Sequence, residues 1–385
     1  MLETDAITLT QELVRIDSSD PGAYEGRIME FIQKTLTHPC ITLTTEEVLP
    51  GRSNLMAKIP GLTDDPALVY ICHMDTVTIG SHWTCDPLGG EYKNGRIYGR
   101  GSCDMKSGLA CAMCALLEMA EKVRREQITP KHSFALIATV DEEDFMRGAE
   151  KAIASGWVTP NTWVLDTEPT NGQIQVAHKG RAWFETEIEG ITAHASTPWK
   201  GADAIAAMAD FICRLRDRIN NCPEHEDLGK STITFGQIEG GYRPYVVPDR
   251  CKVWIDMRLV PPTTTQTAAE MISQSLKETK LCFPGINGSF QITGDRPYVE
   301  KDASSFLLNK LKDACQTITG EDAPVSFFPG YTDSAVIAGT LNNHNCMSYG
   351  PGDLELAHKP DESVPCEDIL RCQSVLIQLA EDIIL

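Results

Sequence analysis

The sequence predicts an α/β protein that carries an inserted α+β domain, and three observations point there. Two continuous apolar runs, "ALVYICH" (67–73) and "SFALIATV" (133–140), alternate with helical segments. That is the pattern of strands covered on both faces of a mixed sheet, with helices on each side. Near Gly180 the period changes to strict alternation, with Ala182, Phe184, Thr186 and Ile188 of "RAWFETEIEG" falling on one side. Such a strand buries one face only. After about residue 293 the α/β pattern resumes. A chain of 385 residues exceeds one ordinary core, so two domains suit it.

The elements follow in order. "DAITLTQELVRI" has helical spacing behind the capping residue Asp5, and "EGRIMEFIQKTL" repeats it with Ile28, Phe31, Ile32 and Leu36. The strand 67–73 comes next, then a hairpin turning at Asn94-Gly95 in "EYKNGRIYG". A long helix covers "MKSGLACAMCALLEMAEKV", followed by the strand 133–140, a helix near 147–155 and a short strand at "TWVLDT". From 180 onward the order is β-α-β-β-α-β: "RAWFETEIEG", the amphipathic "DAIAAMADFICRLRDRI", "TITFGQIEGG", "CKVWIDMRLV", "TAAEMISQSLKETK" and "GSFQIT". This is the split βαβ, ferredoxin-like arrangement, complete in itself. A helix over 302–317, short strands near 325 and 346 and a last helix from about 366 finish the chain. The reading is therefore one domain built from 1–179 and 293–385, with a second, 180–292, inserted into it. No internal repeat or low-complexity stretch appears.

Charge and composition exclude several function classes. A formal charge of −20 without any basic stripe argues against nucleic acid and against anionic membranes. No apolar run approaches the roughly 20 residues of a membrane span, and "MLETDAITLT" lacks the basic-then-apolar start of a signal peptide. The 14 cysteines then suggest reduced thiols in the cytoplasm. Many lie in apolar runs, where cysteine packs as a small hydrophobe. Cys111 and Cys114 form a lone C-x-x-C without the second pair of a zinc site. The apolar residues around them favour a place in the core over a thiol redox centre.

Chemistry-bearing residues gather where the large domain's strands end, the place where open α/β sheets bind ligands. In "CHMDTV", His73 and Asp75 are two apart at a strand exit, so their side chains point the same way. Asp104 opens the long helix in "GRGSCDMKSG" and by itself reads as a cap. "TVDEEDF" sets four acids after a buried strand, and "VLDTEPT" adds Asp166 and Glu168 after another. Clustered carboxylates at a partly buried strand end are expensive without a cation. His358, in the polar, proline-broken "GPGDLELAHKPDE", supplies a second imidazole. Two histidines with three carboxylates suit two Zn2+ ions, one carboxylate bridging. H-E-x-x-H is absent, which excludes the single-zinc helix protease.

In order and spacing, "YICHMDTV", "GRGSCDMKSGLA", "VDEED", "DTEPT", "ITAHASTPWKGADAI" and "YGPGDLELAHKPDE" resemble the metallopeptidase family of acetylornithine deacetylase, succinyl-diaminopimelate desuccinylase, aminoacylase and glutamate carboxypeptidase. The likeness runs over nearly the whole chain, and "TEPT" with "GPGD…AHKPDE" looks most like the deacetylase and desuccinylase branch. The resemblance implies a zinc-peptidase-like catalytic domain and an inserted lid and dimerisation domain. It implies two divalent ions, Zn2+ with Co2+ as a substitute: His73 and Glu168 on one, His358 and Glu143 on the other, Asp104 bridging. Asp166 competes with Glu168, since the two share a face if the strand continues. Asp75 would orient His73. Glu142 would be the general base, acting on a water between the ions; a turn of the peptide there would leave the exchange of roles between Glu142 and Glu143 open.

The resemblance extends to the inserted domain. His194 in "GITAHAS" matches a histidine that reaches across a dimer interface to the scissile carbonyl, and Arg258 in "DMRL" matches an arginine that grips substrate carboxylate. Asp256, two positions before Arg258, is a competing partner for it. "GGYRPYVVP" departs from the family pattern, with Tyr245 standing at a position that in many relatives is a substrate-holding asparagine, and Arg243 nearby. Asp333 in "FPGYTDSA" reads either as lining the same cleft or as a helix cap. The function implied is a homodimeric amidohydrolase removing the acyl group of an N-acyl amino acid. A carboxypeptidase or dipeptidase of the same family, and a metal-free binding protein that keeps the fold, are the alternatives.

Overall fold

The computed structural model describes residues 5–385. In chain order the larger sheet takes β1 (Thr42–Leu49), β2 (Arg52–Ile59), β3 (Thr63–His73), β4 (His132–Thr139), β5 (Trp163–Asp166) and β6 (Ile174–His178). The four strands β7 (Gly180–Glu189), β8 (Thr232–Gly240), β9 (Arg250–Leu259) and β10 (Asn287–Arg296) form a separate sheet. The chain then returns through β11 (Val325–Phe328) and β12 (Cys346–Ser348) to the first. Its eight strands lie in the order β11-β6-β12-β5-β3-β4-β2-β1, and the smaller sheet in the order β8-β9-β7-β10. Among the described residues no helix is long and apolar enough to cross a membrane.

The chain divides into two compact units, one of residues up to Val176 with Lys301–Phe328 and Thr332–Leu385, the other of Ala177–Glu300 with Pro329–Tyr331. In the first, the central strands β4, β3, β5 and β12 run parallel, while β1, β2 and β6 pair antiparallel. The sheet is therefore mixed, and its apolar central strands are buried as their sequences require. The helix Lys106–Glu126 buries fourteen residues from Lys106 to Ala120, among them Cys111 and Cys114. It packs with Cys366–Ile384 in the same core as Leu68, Tyr70, Phe134 and Leu136. Tyr70 meets Phe134 edge-on at 4.9 Å and donates its hydroxyl to the Leu376 carbonyl. The Asn94-Gly95 hairpin forms as read, both residues at positive φ (51° and 76°), the geometry of a two-residue turn.

The second unit has one covered face. On β7 Ala182, Phe184, Thr186 and Ile188 are buried under the helices Ala204–Asn220 and Thr265–Cys282, alternating with Arg181, Trp183, Glu185 and Glu187. Two element readings shift. The helix expected over 302–317 spans Phe306–Thr319, because the Ser305 hydroxyl caps it by accepting the Leu308 N–H. β6 lacked a sequence signal of its own, being five buried residues between a turn at Gly172 and the start of β7 at Gly180.

Candidate active site

The parallel strands bring their carboxyl ends together. His73 at the end of β3 pairs in register with Thr139 of β4, and Asp166 ends β5 beside Ser348 of β12. Residues just beyond these positions therefore share one rim. There the structure brings together His73, Asp75, Asp104, Glu142, Glu143, Glu168 and His358, all in the first unit.

Asp104 occupies the centre. Its Oδ1 lies 3.1 Å from His73 Nε2, and its Oδ2 3.3 Å from His358 Nε2. His73 Nε2 is also 3.6 Å from Glu168 Oε1, and His358 Nε2 is 3.0 Å from Glu143 Oε2. Ligand atoms of His73, Asp104 and Glu143 fall within 4.8 Å of one another, as do those of His73, Glu142 and Glu168. All but His358 and Glu143 are buried; the His358 side chain is 50% exposed.

The local chain explains these placements. His73 Nδ1 lies 2.9 Å from the Asp75 main-chain oxygen. A carbonyl only accepts, so Nδ1 carries the hydrogen and Nε2 is turned toward the acids. The Asp75 carboxylate is 3.8 Å from that ring and instead accepts the Glu143 N–H at 3.1 Å. Asp75 thus orients His73 through its backbone and fixes Glu143 through its side chain. After β4 the chain turns, with Asp141 at φ +68°, so Glu142 and Glu143 do not alternate as in a strand. Glu142 faces His73 and Glu168, and Glu143 faces His358.

Asp166 points elsewhere. β5 ends at this residue, so the shared face assumed for Asp166 and Glu168 does not extend to Glu168, and the Asp166 carboxylate lies beside Ser334, Ser348 and Thr332. The peptide at Thr167–Glu168 runs through a narrow slot. A Cβ on Gly108 would stand 2.2 Å from the Thr167 carbonyl oxygen, and one on Gly350 would stand 2.2 Å from that oxygen and 2.4 Å from the Glu168 carbonyl oxygen. Only glycines leave room there.

Sequence reasoning missed the support beneath this rim. The Arg52 guanidinium binds Glu25 and Asp20, with Nε 2.8 Å from Glu25 Oε2. Glu25 also accepts the Asp141 N–H, and Arg147 Nε donates to the Asp141 carboxylate at 2.6 Å. Asn54 accepts the Val140 N–H at 3.2 Å and donates to the Gly148 carbonyl. These groups hold the turn carrying both glutamates, and no local pattern signals pairings so distant in sequence. Asp20, Glu25 and Asp75 are a third acidic group, in which Arg52 already pairs with Asp20 and Glu25.

The electrostatics favour a cation. Burial, then the charge of Asp104, raises Glu168 well above its ordinary value; Glu142 is likewise raised, first by burial. Burial acts to lower His73, but the Asp104 hydrogen bond and the nearby glutamates outweigh it and raise the imidazole. Hydrogen bonds to Asp104 and Glu143 push His358 up to about 10. Burial acts to raise Asp104, but hydrogen bonds from His358 and His73 outweigh it and lower the carboxylate. Both imidazoles, Glu142 and Glu168 are thus driven to collect protons, the response of a buried acidic cluster lacking compensating charge. The carboxylates of Asp104, Glu142, Glu143 and Glu168 beside two neutral imidazoles total a formal −4, the opposite of two divalent cations. Imidazole and carboxylate are suitable donors for such ions. His73, Asp104 and Glu168 form one donor set, and His358, Asp104 and Glu143 the other.

His194 and Arg258 belong to the second unit. His194 is exposed, its Nδ1 2.8 Å from Ser196 Oγ. Arg258 forms a two-pronged pair with Asp256 at 2.8 and 3.2 Å, and Asp256 also accepts from Trp183 Nε1 at 2.6 Å. Tyr245 is 61% exposed. Its chain neighbours Pro244 and Val246 line a cavity of about 550 Å³ together with Pro198, Ile205, Tyr242 and Arg243. Asp333 begins the helix Asp333–Leu341 and is buried, its carboxylate accepting from Thr139 Oγ1.

Residues 69–382 match the model of peptidase family M20/M25/M40. The chain belongs to this family. It is 30% identical over 339 residues to an acetylornithine deacetylase of Proteus mirabilis, covering 86% of this chain and 83% of the relative. It is 26% identical over 394 residues to a probable succinyl-diaminopimelate desuccinylase of Staphylococcus epidermidis, covering 94% and 93%. Among solved structures, the aminopeptidase PepT of Bacillus cereus superposes with a TM-score of 0.79 at 21% identity, covering 98% of both chains. The YXEP protein of Bacillus subtilis, a dinuclear metal-binding peptidase from the M20 family, superposes at 0.73 with 18% identity, covering 97% and 96%. Those two likenesses concern the fold. Membership makes this M20 chain a metal-dependent hydrolase of amide or peptide bonds, in a family that binds two metal ions.

Proposed function

We propose that this M20 chain is a deacylase of N-acyl amino acids that works with two Zn2+ ions. The observation that carries the reading is Asp104, whose two carboxylate oxygens face His73 and His358 separately. His73, Asp104 and Glu168 would hold one ion, and His358, Asp104 and Glu143 the other. When bound, the ions would supply positive charge for the attacking water and for the oxyanion formed from the amide carbonyl. Glu142 takes a proton from that water and delivers it to the leaving nitrogen as the C–N bond breaks, giving a carboxylate and a free amine. Asp75 fixes His73 and Glu143 for this arrangement. The relatives named as deacetylase and desuccinylase support the acyl substrate.

The second unit would supply His194 to the scissile carbonyl across a homodimer and Arg258 to the substrate carboxylate, for which a guanidinium fork is well matched. Substrate carboxylate would then displace or share Asp256 on Arg258. β8 is an edge strand of its sheet, and Ile238 on it is 54% exposed, which supports pairing with a second copy. Fourteen free thiols support the cytoplasm as its compartment.

Metal analysis of zinc-loaded protein should give two equivalents per chain. A panel of N-acetyl amino acids, N-succinyl amino acids, dipeptides and tripeptides should then show turnover of the acyl compounds. Turnover confined to the peptides would replace the deacylase with a peptidase. One equivalent or none would overturn the two-ion site.

A further inference from the structure

Glu362 lies four residues beyond His358 and is buried, yet neither histidine touches it. Its Oε1 accepts the main-chain N–H of Cys103 at 2.9 Å and of Asp104 at 3.1 Å. Its Oε2 accepts from Arg100 Nη1 at 2.6 Å, and Arg100 is itself buried. On the other side, Gly99 N–H donates to the Glu362 carbonyl, and Ser363–Pro365 pairs antiparallel with Arg96–Tyr98. The two loops are therefore joined both through a backbone ladder and through one side chain. Cys103 and Asp104 are buried, so without that oxygen two N–H groups would be left unpaired away from water.

We propose that Glu362 is a positioning residue, whose carboxylate locks the Asp104 backbone to the His358 loop and so sets the spacing of two metal-holding groups. This rests on the two-ion reading above. The reach of the carboxylate matters here, and its charge does not. Arg100, which also donates to the Ile79 carbonyl and lies over Trp83 at 5.2 Å, neutralises a charge that burial would otherwise make costly.

Two variants separate reach from charge. Glu362→Asp keeps the negative charge near Arg100 but withdraws the oxygens by one methylene. Glu362→Gln combined with Arg100→Met keeps an acceptor at full reach and removes both charges. Chelator competition for Zn2+ reads the affinity of each metal equivalent. Groups that hold ligands from behind are worth roughly 10–100-fold in metal affinity. Glu362→Asp should therefore weaken at least one equivalent by that factor, while the double variant stays within about threefold of the parent. The reverse order, equal losses in both, or no loss in either overturns the proposal. Asp104→Asn and His358→Ala, measured alongside, address the reading beneath it. If they retain both equivalents, the two-ion site itself fails; if they lose metal while Glu362→Asp does not, only the positioning role fails.

Discussion

Glu142→Gln removes a proton acceptor while leaving the size of the side chain unchanged. General-base assistance contributes roughly 10²–10⁴ in rate, or about 3–5 kcal/mol of transition-state stabilisation. The structure places this residue toward the upper end. Glu142 is 7% exposed, so bulk water is poorly placed to substitute for it. The neighbouring Asp104, Glu143 and Glu168 are each turned to a histidine. Steady-state kinetics on an N-acyl amino acid should show kcat falling by about 10³ or more with KM nearly unchanged. A base works only when deprotonated. The parent's kcat/KM should accordingly rise with pH through that group, and the variant's should lack this limb. Metal content decides between two roles, because Glu142 also lies within ligand distance of His73 and Glu168. Two equivalents retained with activity lost supports the base. Loss of an equivalent would make Glu142 a ligand, and more than a tenth of parental kcat at full metal would remove it from the chemistry altogether.

Asp75→Ala should weaken Zn2+ binding by about 10–100-fold in a chelator titration, since the Glu143 N–H loses its acceptor. Gly108→Ala should lower the thermal midpoint, although alanine is the better helix former by about 1 kcal/mol. The new Cβ meets main chain 2.2 Å away, and overpacking of that kind costs about 1–3 kcal/mol; an unchanged midpoint would mean the slot gives. His178 is pushed down to about 4, first by burial. The unfolded chain therefore binds more protons between pH 6.5 and 4, and stability is lost as pH falls through that window, by about 3 kcal/mol in full. His178→Leu should flatten the thermal midpoint of the protein across this range, and an unaltered acid slope would contradict the assignment.

Much of this architecture is written in periodicity. The apolar runs 67–73 and 133–140 announce buried parallel strands, and the alternation after Gly180 announces a sheet with one covered face. Because parallel strands end side by side, acids that follow successive runs arrive at one rim. That is why His73, Glu142, Glu143 and Glu168 read as one group before any coordinates, while His358 joins them through its polar loop and the family motif around it. What the sequence leaves open are directions after a strand has ended. Whether Asp166 or Glu168 faces His73 depends on β5 stopping at Asp166. The positions of Glu142 and Glu143 depend on Asp141 adopting a left-handed conformation. The third crossing of the chain, Pro329–Tyr331 in the second unit, has no compositional signature. Arg52, Glu25 and Glu362 are charged residues like many others until the fold reveals what each one meets.

Two positions with no side chain at all decide where Glu168 can stand. Gly108 and Gly350 come from different elements and carry no reactive group, yet a single methyl group on either would crowd the peptide that carries the carboxylate. Mutational surveys restricted to polar residues would overlook both, and a drift to alanine at either place would silence the centre while every reactive group remained in the gene.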